Sequence, residues 1–299
     1  MEYLIGPRYL AANHVHIIGG GSSVGKTTFL FQAINHFRKE LFPLVYLIDD
    51  RPKEGTVAKF AELGIEPWPV EGLIDRKVGT SDEECRRVGR DPEHAYVWMT
   101  TSVKRWQEES ATKLRTIVLD PAIAFLPCRR VNDYKEVAGA CATLSAWALR
   151  ERVTVMLVWH SNKTKVDELN DIFDAISGST GIQGYTATKI MLVRGPRGKR
   201  NAYVRGPKFG DFVIELQMND EGVFSLLGVQ PVEAHEAAAD IELMQWISDD
   251  PGGTHWNDIC EAAGLSRAGV MRKRANLVGL GYLARVRGRP GFYCTVRSS

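Results

Sequence analysis

The chain has 299 residues, of which 44% are apolar and 25% charged, and its net charge is +2. That mixture supplies a real core and excludes a disordered class, and the length allows one large domain or two ordinary ones. No apolar run approaches the roughly 18 to 20 residues that span a bilayer, so no membrane partner is expected. The opening MEYLIGPRYL has no basic segment followed by an apolar one, so no secretory signal is expected. Five cysteines (Cys85, Cys128, Cys141, Cys260, Cys294) make no CxxC pair and read as reduced thiols of a cytoplasmic protein.

The small net charge hides an asymmetry. Residues 264–299 hold eight basic side chains and no Asp or Glu, while the rest of the chain has 30 basic against 36 acidic. A basic tail on a mildly acidic body points to an anionic partner such as nucleic acid.

In chain order, short runs rich in Val, Ile and Leu at 14–18, 44–48, 116–119, 153–159 and 189–193 predict strands buried on both faces. Helical stripes lie between several of them: Phe29, Leu30, Ala33, Ile34 and Phe37, then Tyr134, Val137, Cys141, Leu144 and Ala148. The alternation predicts an α/β fold with a mostly parallel twisted sheet covered on both faces. Residues 76–110 are polar, follow no clear period and read as an insertion, with Trp98 and Trp106 as core residues. Residues 194–210 read as a hairpin or loop.

Residues 1–228 are expected to form one domain, residues 229–239 a linker and residues 240–299 a second domain. In the last, helices are expected at about 240–248, from the N-cap Thr254 to Gly264, and from the N-cap Ser266. Two strand-like runs then flank Arg287-Gly288-Arg289-Pro290. Three short helices and a basic hairpin match a winged helix-turn-helix module, whose basic residues would meet DNA phosphates: Arg267, Arg272, Lys273, Arg274, and Arg287 and Arg289 at the wing tip.

The strongest motif is Gly20-Gly21-Ser22-Ser23-Val24-Gly25-Lys26-Thr27, a GxxxxGK-S/T loop between an apolar strand and an amphipathic helix, with Thr28 following. Glycines let the backbone N–H groups converge on a phosphate, and the helix N-terminus adds its positive end. Lys26 can reach the β- and γ-phosphates of ATP, and the Thr27 hydroxyl can ligate Mg2+. Asp120 closes the run TIVLD and is expected at the carboxyl end of a strand, placed to hold a magnesium-bound water. Asp49 and Asp50 end another strand, where either could orient the attacking water. His160 ends a third, where it could donate to the γ-phosphate. The other six histidines have no such context.

The order GGGSSVGKTTF, VYLIDDRP, TIVLDPAIAFLP, VMLVWHSNK and ISGSTGIQGYTATKIMLVR resembles RecA-fold P-loop ATPases. The resemblance is to plasmid RepA and DnaB-like hexameric helicases and related phage replication ATPases, over roughly residues 5–217. It implies Lys26 and Thr27 at the nucleotide, Asp120 at the metal and His160 as γ-phosphate sensor. Asp50 stands where the family usually has Glu. The resemblance further implies a homo-oligomeric ring with single-stranded DNA in its channel near Lys163, Gly178, Ser179 and Thr180. A basic finger would enter the neighbouring subunit's site, with Arg194, Arg205 and Lys208 as candidates. The expected function is an ATP-hydrolysing DNA motor, a helicase or translocase working with replication proteins. The alternative is an ATP-gated adaptor such as a helicase loader, recombination mediator or replication regulator.

Overall fold

The computed structural model describes residues 10–48, 52–62, 70–72, 92–109, 113–128, 130, 133–161, 171–176, 181–182, 184–195, 198–206, 209–220 and 222–235. In the C-terminal region it describes 244, 247, 253–255, 257–259, 274, 277–278, 283–290 and 292–295. The chain divides into two compact units: Met1–Lys163 with Phe173–Val229, and Thr164–Ile172 with Gln230–Ser299.

The first unit is an α/β structure around one large sheet. Its strands are β1 (Val15–Gly20), β2 (Leu44–Ile48), β3 (Val70–Gly72), β4 (Thr116–Asp120), β5 (Thr154–His160), β6 (Thr188–Arg194), β7 (Lys199–Gly206), β8 (Phe209–Met218) and β9 (Phe224–Pro231). The helices are α1 (Lys26–His36), α2 (Arg38–Leu41), α3 (Lys53–Glu62), α4 (Pro92–Glu109) and α5 (Tyr134–Glu151). The sheet order is β3-β2-β4-β5-β1-β6-β7-β8-β9. The pairings from β3 through β6 are parallel. Those of β6 with β7 and β7 with β8 are antiparallel.

The five expected strands all form, shifted at their ends by a residue or two. Every residue of β1, β2 and β4 is buried, which is why these strands are mostly apolar rather than alternating, with His16, Thr116 and Asp120 as buried polar exceptions. Phe29, Leu30, Ala33 and Ile34 of α1 pack with Ile18, Tyr46, Val118, Met156 and Leu192 in one core. On α5 the stripe Val137, Cys141, Leu144 and Ala148 is buried, but its first member, Tyr134, is exposed at the helix start. Asp133 caps α5, its Oδ1 accepting from the N–H groups of Lys135 at 3.0 Å and Glu136 at 3.3 Å.

The stretch read as an insertion contains α4, opened by Pro92 at its first turn. Met99 and Val103 of α4 are buried, and Trp98 stacks on Phe125 with centroids 6.1 Å apart. The polar faces of this helix hid its period. The strands β7 to β9 extend well beyond the hairpin or loop expected at 194–210.

In the second unit a separate sheet runs β10 (Thr254–His255), β12 (Phe292–Thr295), β11 (Leu283–Arg285), with both pairings antiparallel. Thr254 lies in a strand rather than capping a helix, and His255 Nδ1 instead accepts from Asn257 N–H at 3.3 Å. Ile247, Ile259, Leu277, Leu283 and Tyr293 form a small core, with Met244 and Val278 packed against it. Among the described residues no helix is long and apolar enough to cross a membrane.

Candidate phosphate-binding site

The parallel strands bring the candidate residues to one edge of the sheet. In register, Gly20 at the end of β1 lies opposite His160 of β5 and Leu192 of β6. Asp120, at the end of β4, lies opposite Ile48 of β2. β5 sits between β1 and β4, so the strand carrying His160 separates the glycine loop from the strand carrying Asp120.

The loop from Gly20 to Gly25 turns sharply into α1. Ser23 has φ 55° and Gly25 has φ 99°. A Cβ on Gly25 would stand 2.6 Å from Phe224 Cζ and 2.9 Å from Met218 Cε, so both the backbone and the space require glycine. Val24 is buried, whereas Ser22 and Ser23 are exposed and Thr28 is half-buried in the first turn. The N-terminus of α1 has no side-chain cap and no acidic residue in its first turn. An uncapped helix start of this kind carries a partial positive charge.

Lys26 is buried, and its Nζ donates to the carbonyl oxygens of Gly20 and Gly21, both at 2.9 Å. The same Nζ lies 3.4 Å from Nδ1 of His160. Thr27 Oγ1 donates to Asp120 Oδ2 at 3.2 Å, and the buried hydroxyl of Tyr46 donates to the same oxygen at 2.5 Å. Lys26, Thr27, Asp120 and His160 are thus brought together.

The rim of the loop is held by two arginines. Arg194 Nη2 donates to Ser23 O at 2.9 Å, and Arg200 Nε donates to Val24 O at 3.2 Å. Burial lowers the Arg200 pKa, and the neighbouring Arg194 charge lowers it further. Arg205 lies elsewhere, its guanidinium paired with Asp211 at 2.5 Å and 4.4 Å from the Phe173 ring centroid.

Thr27 and Asp120 present a hydroxyl and a carboxylate, the hard oxygen donors that Mg2+ prefers. Among the described residues no group of three or more His, Cys, Asp or Glu could hold a metal ion. The residues therefore fit an ion that arrives with phosphate oxygens and water rather than one caged by protein alone.

Asp50, Lys163, Gly178, Ser179, Thr180, Lys208, Arg267, Arg272 and Lys273 lie outside the described residues, as does Asp49. In the second unit Arg287 and Arg289 are exposed on the turn between β11 and β12. Arg289 sits 4.6 Å from the Phe292 ring centroid and Arg274 sits 5.3 Å from that of Tyr293. Sequence reasoning missed Tyr46 and Arg200. Tyr46 looked like one more apolar strand residue, and Arg200 like one of several loop cations.

Compared with known proteins, the chain matches no protein-family model, and no curated protein matches it.

Proposed function

We propose that the protein is an ATP-hydrolysing, DNA-binding motor with a RecA-like core and a C-terminal winged helix. One observation carries the ATPase part: Lys26, the Thr27–Asp120 pair and His160 converge beside an uncapped helix N-terminus at one edge of a parallel sheet. In this reading Lys26 exchanges its loop carbonyls for β- and γ-phosphate oxygens. Thr27 and Asp120 hold Mg2+, which supplies charge neutralisation of the phosphates. His160, within reach of the Lys26 ammonium, reports the γ-phosphate.

The antiparallel β10-β12-β11 sheet and its exposed Arg287 and Arg289 support a wing that meets DNA phosphates. Arg205, Arg194 and Lys208 are the trans-finger candidates; Arg194 bonds the Ser23 carbonyl of its own loop, whereas Arg205 is held by Asp211 away from that loop and would have to leave this ion pair to reach a neighbour. Assembly would then be a homo-oligomeric ring.

The test is the ATPase rate without DNA, with single-stranded DNA and with duplex, alongside particle mass in each state. A motor gives severalfold stimulation by single strands and a ring-sized particle, and Lys26→Ala abolishes turnover. An ATPase indifferent to all DNA overturns this reading. Asp50, in place of the Glu of the resembled family, favours a second reading as an ATP-gated adaptor. That reading expects slow, unstimulated turnover with ATP-dependent DNA binding and no strand separation.

A further inference from the structure

The hydroxyl of Tyr46 is a polar atom placed at full burial in the middle of an otherwise apolar strand. A phenylalanine there would fill the same volume without the cost of desolvating a hydroxyl. The ring is set by its neighbours. Phe31 meets it edge-on with centroids 5.5 Å apart, and Phe60 does so at 5.7 Å. β2 and β4 pair in register with Tyr46 opposite Val118 and Ile48 opposite Asp120. Tyr46 is therefore the diagonal neighbour of Asp120, two residues away on the same face of adjacent strands.

The hydroxyl reaches Asp120 Oδ2, the same oxygen that accepts from Thr27. These two donors differ in freedom. Thr27 stands half-buried in the first turn of the helix that the loop opens, and its hydroxyl can turn toward an incoming cation. Tyr46 is locked by an aromatic cluster and cannot follow. We infer that Tyr46 is a positioning residue for the metal-facing carboxylate. It holds Asp120 Oδ2 in place when the Thr27 hydroxyl leaves that oxygen for a divalent cation.

This inference rests on the reading of Thr27 and Asp120 as the Mg2+ pair. A carboxylate fixed from behind keeps its donor oxygens preorganised, and losing such a support typically costs about 10-fold or more in metal affinity. A purely structural role would instead alter stability or nucleotide affinity whether or not Mg2+ is present.

The experiment measures binding of a fluorescent ATP analogue to the full chain, first in EDTA and then across a Mg2+ titration. It compares wild type, Tyr46→Phe and Lys26→Ala. The expected result for Tyr46→Phe is unchanged affinity in EDTA and a Mg2+ midpoint raised about 10-fold. An unchanged Mg2+ midpoint, or an equal loss of affinity with and without Mg2+, overturns the inference. If Lys26→Ala binds the analogue as wild type does, or wild type does not bind it, the underlying nucleotide reading fails, and the inference with it. Should Tyr46→Phe not fold, 3-fluorotyrosine at position 46 keeps the packing and alters only the strength of the donor. Its Mg2+ midpoint must then shift, and an unshifted midpoint is again a refutation.

Discussion

The carboxamide of Gln32 makes two hydrogen bonds to the backbone of one residue, Phe224. Its Nε2 donates to Phe224 O at 2.9 Å, and its Oε1 accepts from Phe224 N–H at 2.8 Å. The pair is buried and joins the helix opened by the glycine loop to β9, more than 190 positions along the chain. Phe224 in turn meets Phe29 edge-on with centroids 6.5 Å apart. β9 is thus fastened to the helix that the glycine loop opens by polar as well as apolar contacts.

Gln32→Ala leaves both the N–H and the C=O of Phe224 without this buried partner. An unsatisfied buried group costs about 1 to 3 kcal/mol, so for two groups a loss of about 2 to 6 kcal/mol in folding stability is expected. Urea unfolding monitored by tryptophan fluorescence measures it. A change below about 0.5 kcal/mol, the size of an ordinary surface substitution, would show that water replaces the amide at no cost.

At Gly25, β9 meets the loop itself. Gly25→Ala meets two separate obstacles: a left-handed backbone, and a Cβ position already occupied by Phe224 and Met218. Backbone strain of this kind costs on the order of 1 to 3 kcal/mol. Nucleotide binding is expected to fall at least tenfold in Gly25→Ala. Adding Phe224→Leu clears only part of the space and does not recover it, because the positive φ remains. Full recovery in the double variant would show that crowding alone set the requirement.

The parallel half of the fold was legible because strands buried on both faces must be largely apolar, as 44–48 is throughout and 15–18 is apart from His16. The glycine loop was legible because few functions demand Gly, Lys and Thr at that spacing. Asp120 and His160 followed from their places at the ends of apolar runs. What failed was whatever depended on partners distant in sequence. The apolar residues of α4 are too few for its period to stand out, and they are buried only once the sheet exists. Tyr46 differs from a core phenylalanine by one atom, whose importance rests on Asp120, 74 positions away. The bond from Arg194 to the Ser23 carbonyl was likewise unreadable, because the two lie 171 positions apart.

Arg194 and Arg205 are separable by mixing. A residue acting on a neighbouring subunit's site can be supplied by a partner whose own loop is dead, and a residue acting on its own loop cannot. Mixed with Lys26→Ala, Arg205→Ala is therefore expected to gain ATPase activity, while Arg194→Ala and Arg200→Gln gain none from the same mixture. Each charge-assisted hydrogen bond contributes about 1.5 to 3 kcal/mol. Arg200→Gln alone is accordingly expected to weaken nucleotide binding about 10-fold or more, measured by titration of a fluorescent ATP analogue. Recovery of Arg194→Ala in the mixture would return it to the role of a finger.

His16 makes the pH dependence of folding testable. It lies buried in β1, the strand that leads into the glycine loop, with Nε2 donating to Ala11 O at 3.0 Å and no hydrogen-bond partner at Nδ1. Burial pushes its pKa down from 6.5 to about 4; the Ala11 carbonyl opposes this and the nearby His14 adds to it. Because the folded value is the lower one, the unfolded chain takes up the proton first as pH falls. The neutral ring therefore costs no stability above about pH 6.5, and stability is lost progressively from there down to about pH 4. At about 1.4 kcal/mol per pKa unit, the loss attributable to this one group is on the order of 3 kcal/mol. His16→Gln keeps an N–H for Ala11 but cannot be protonated. Urea unfolding at pH 7.5, 5.5 and 4.5 should show wild type losing more stability than His16→Gln, with the gap opening only below about pH 6.5. Parallel acid limbs for the two proteins would place the acid sensitivity in other groups.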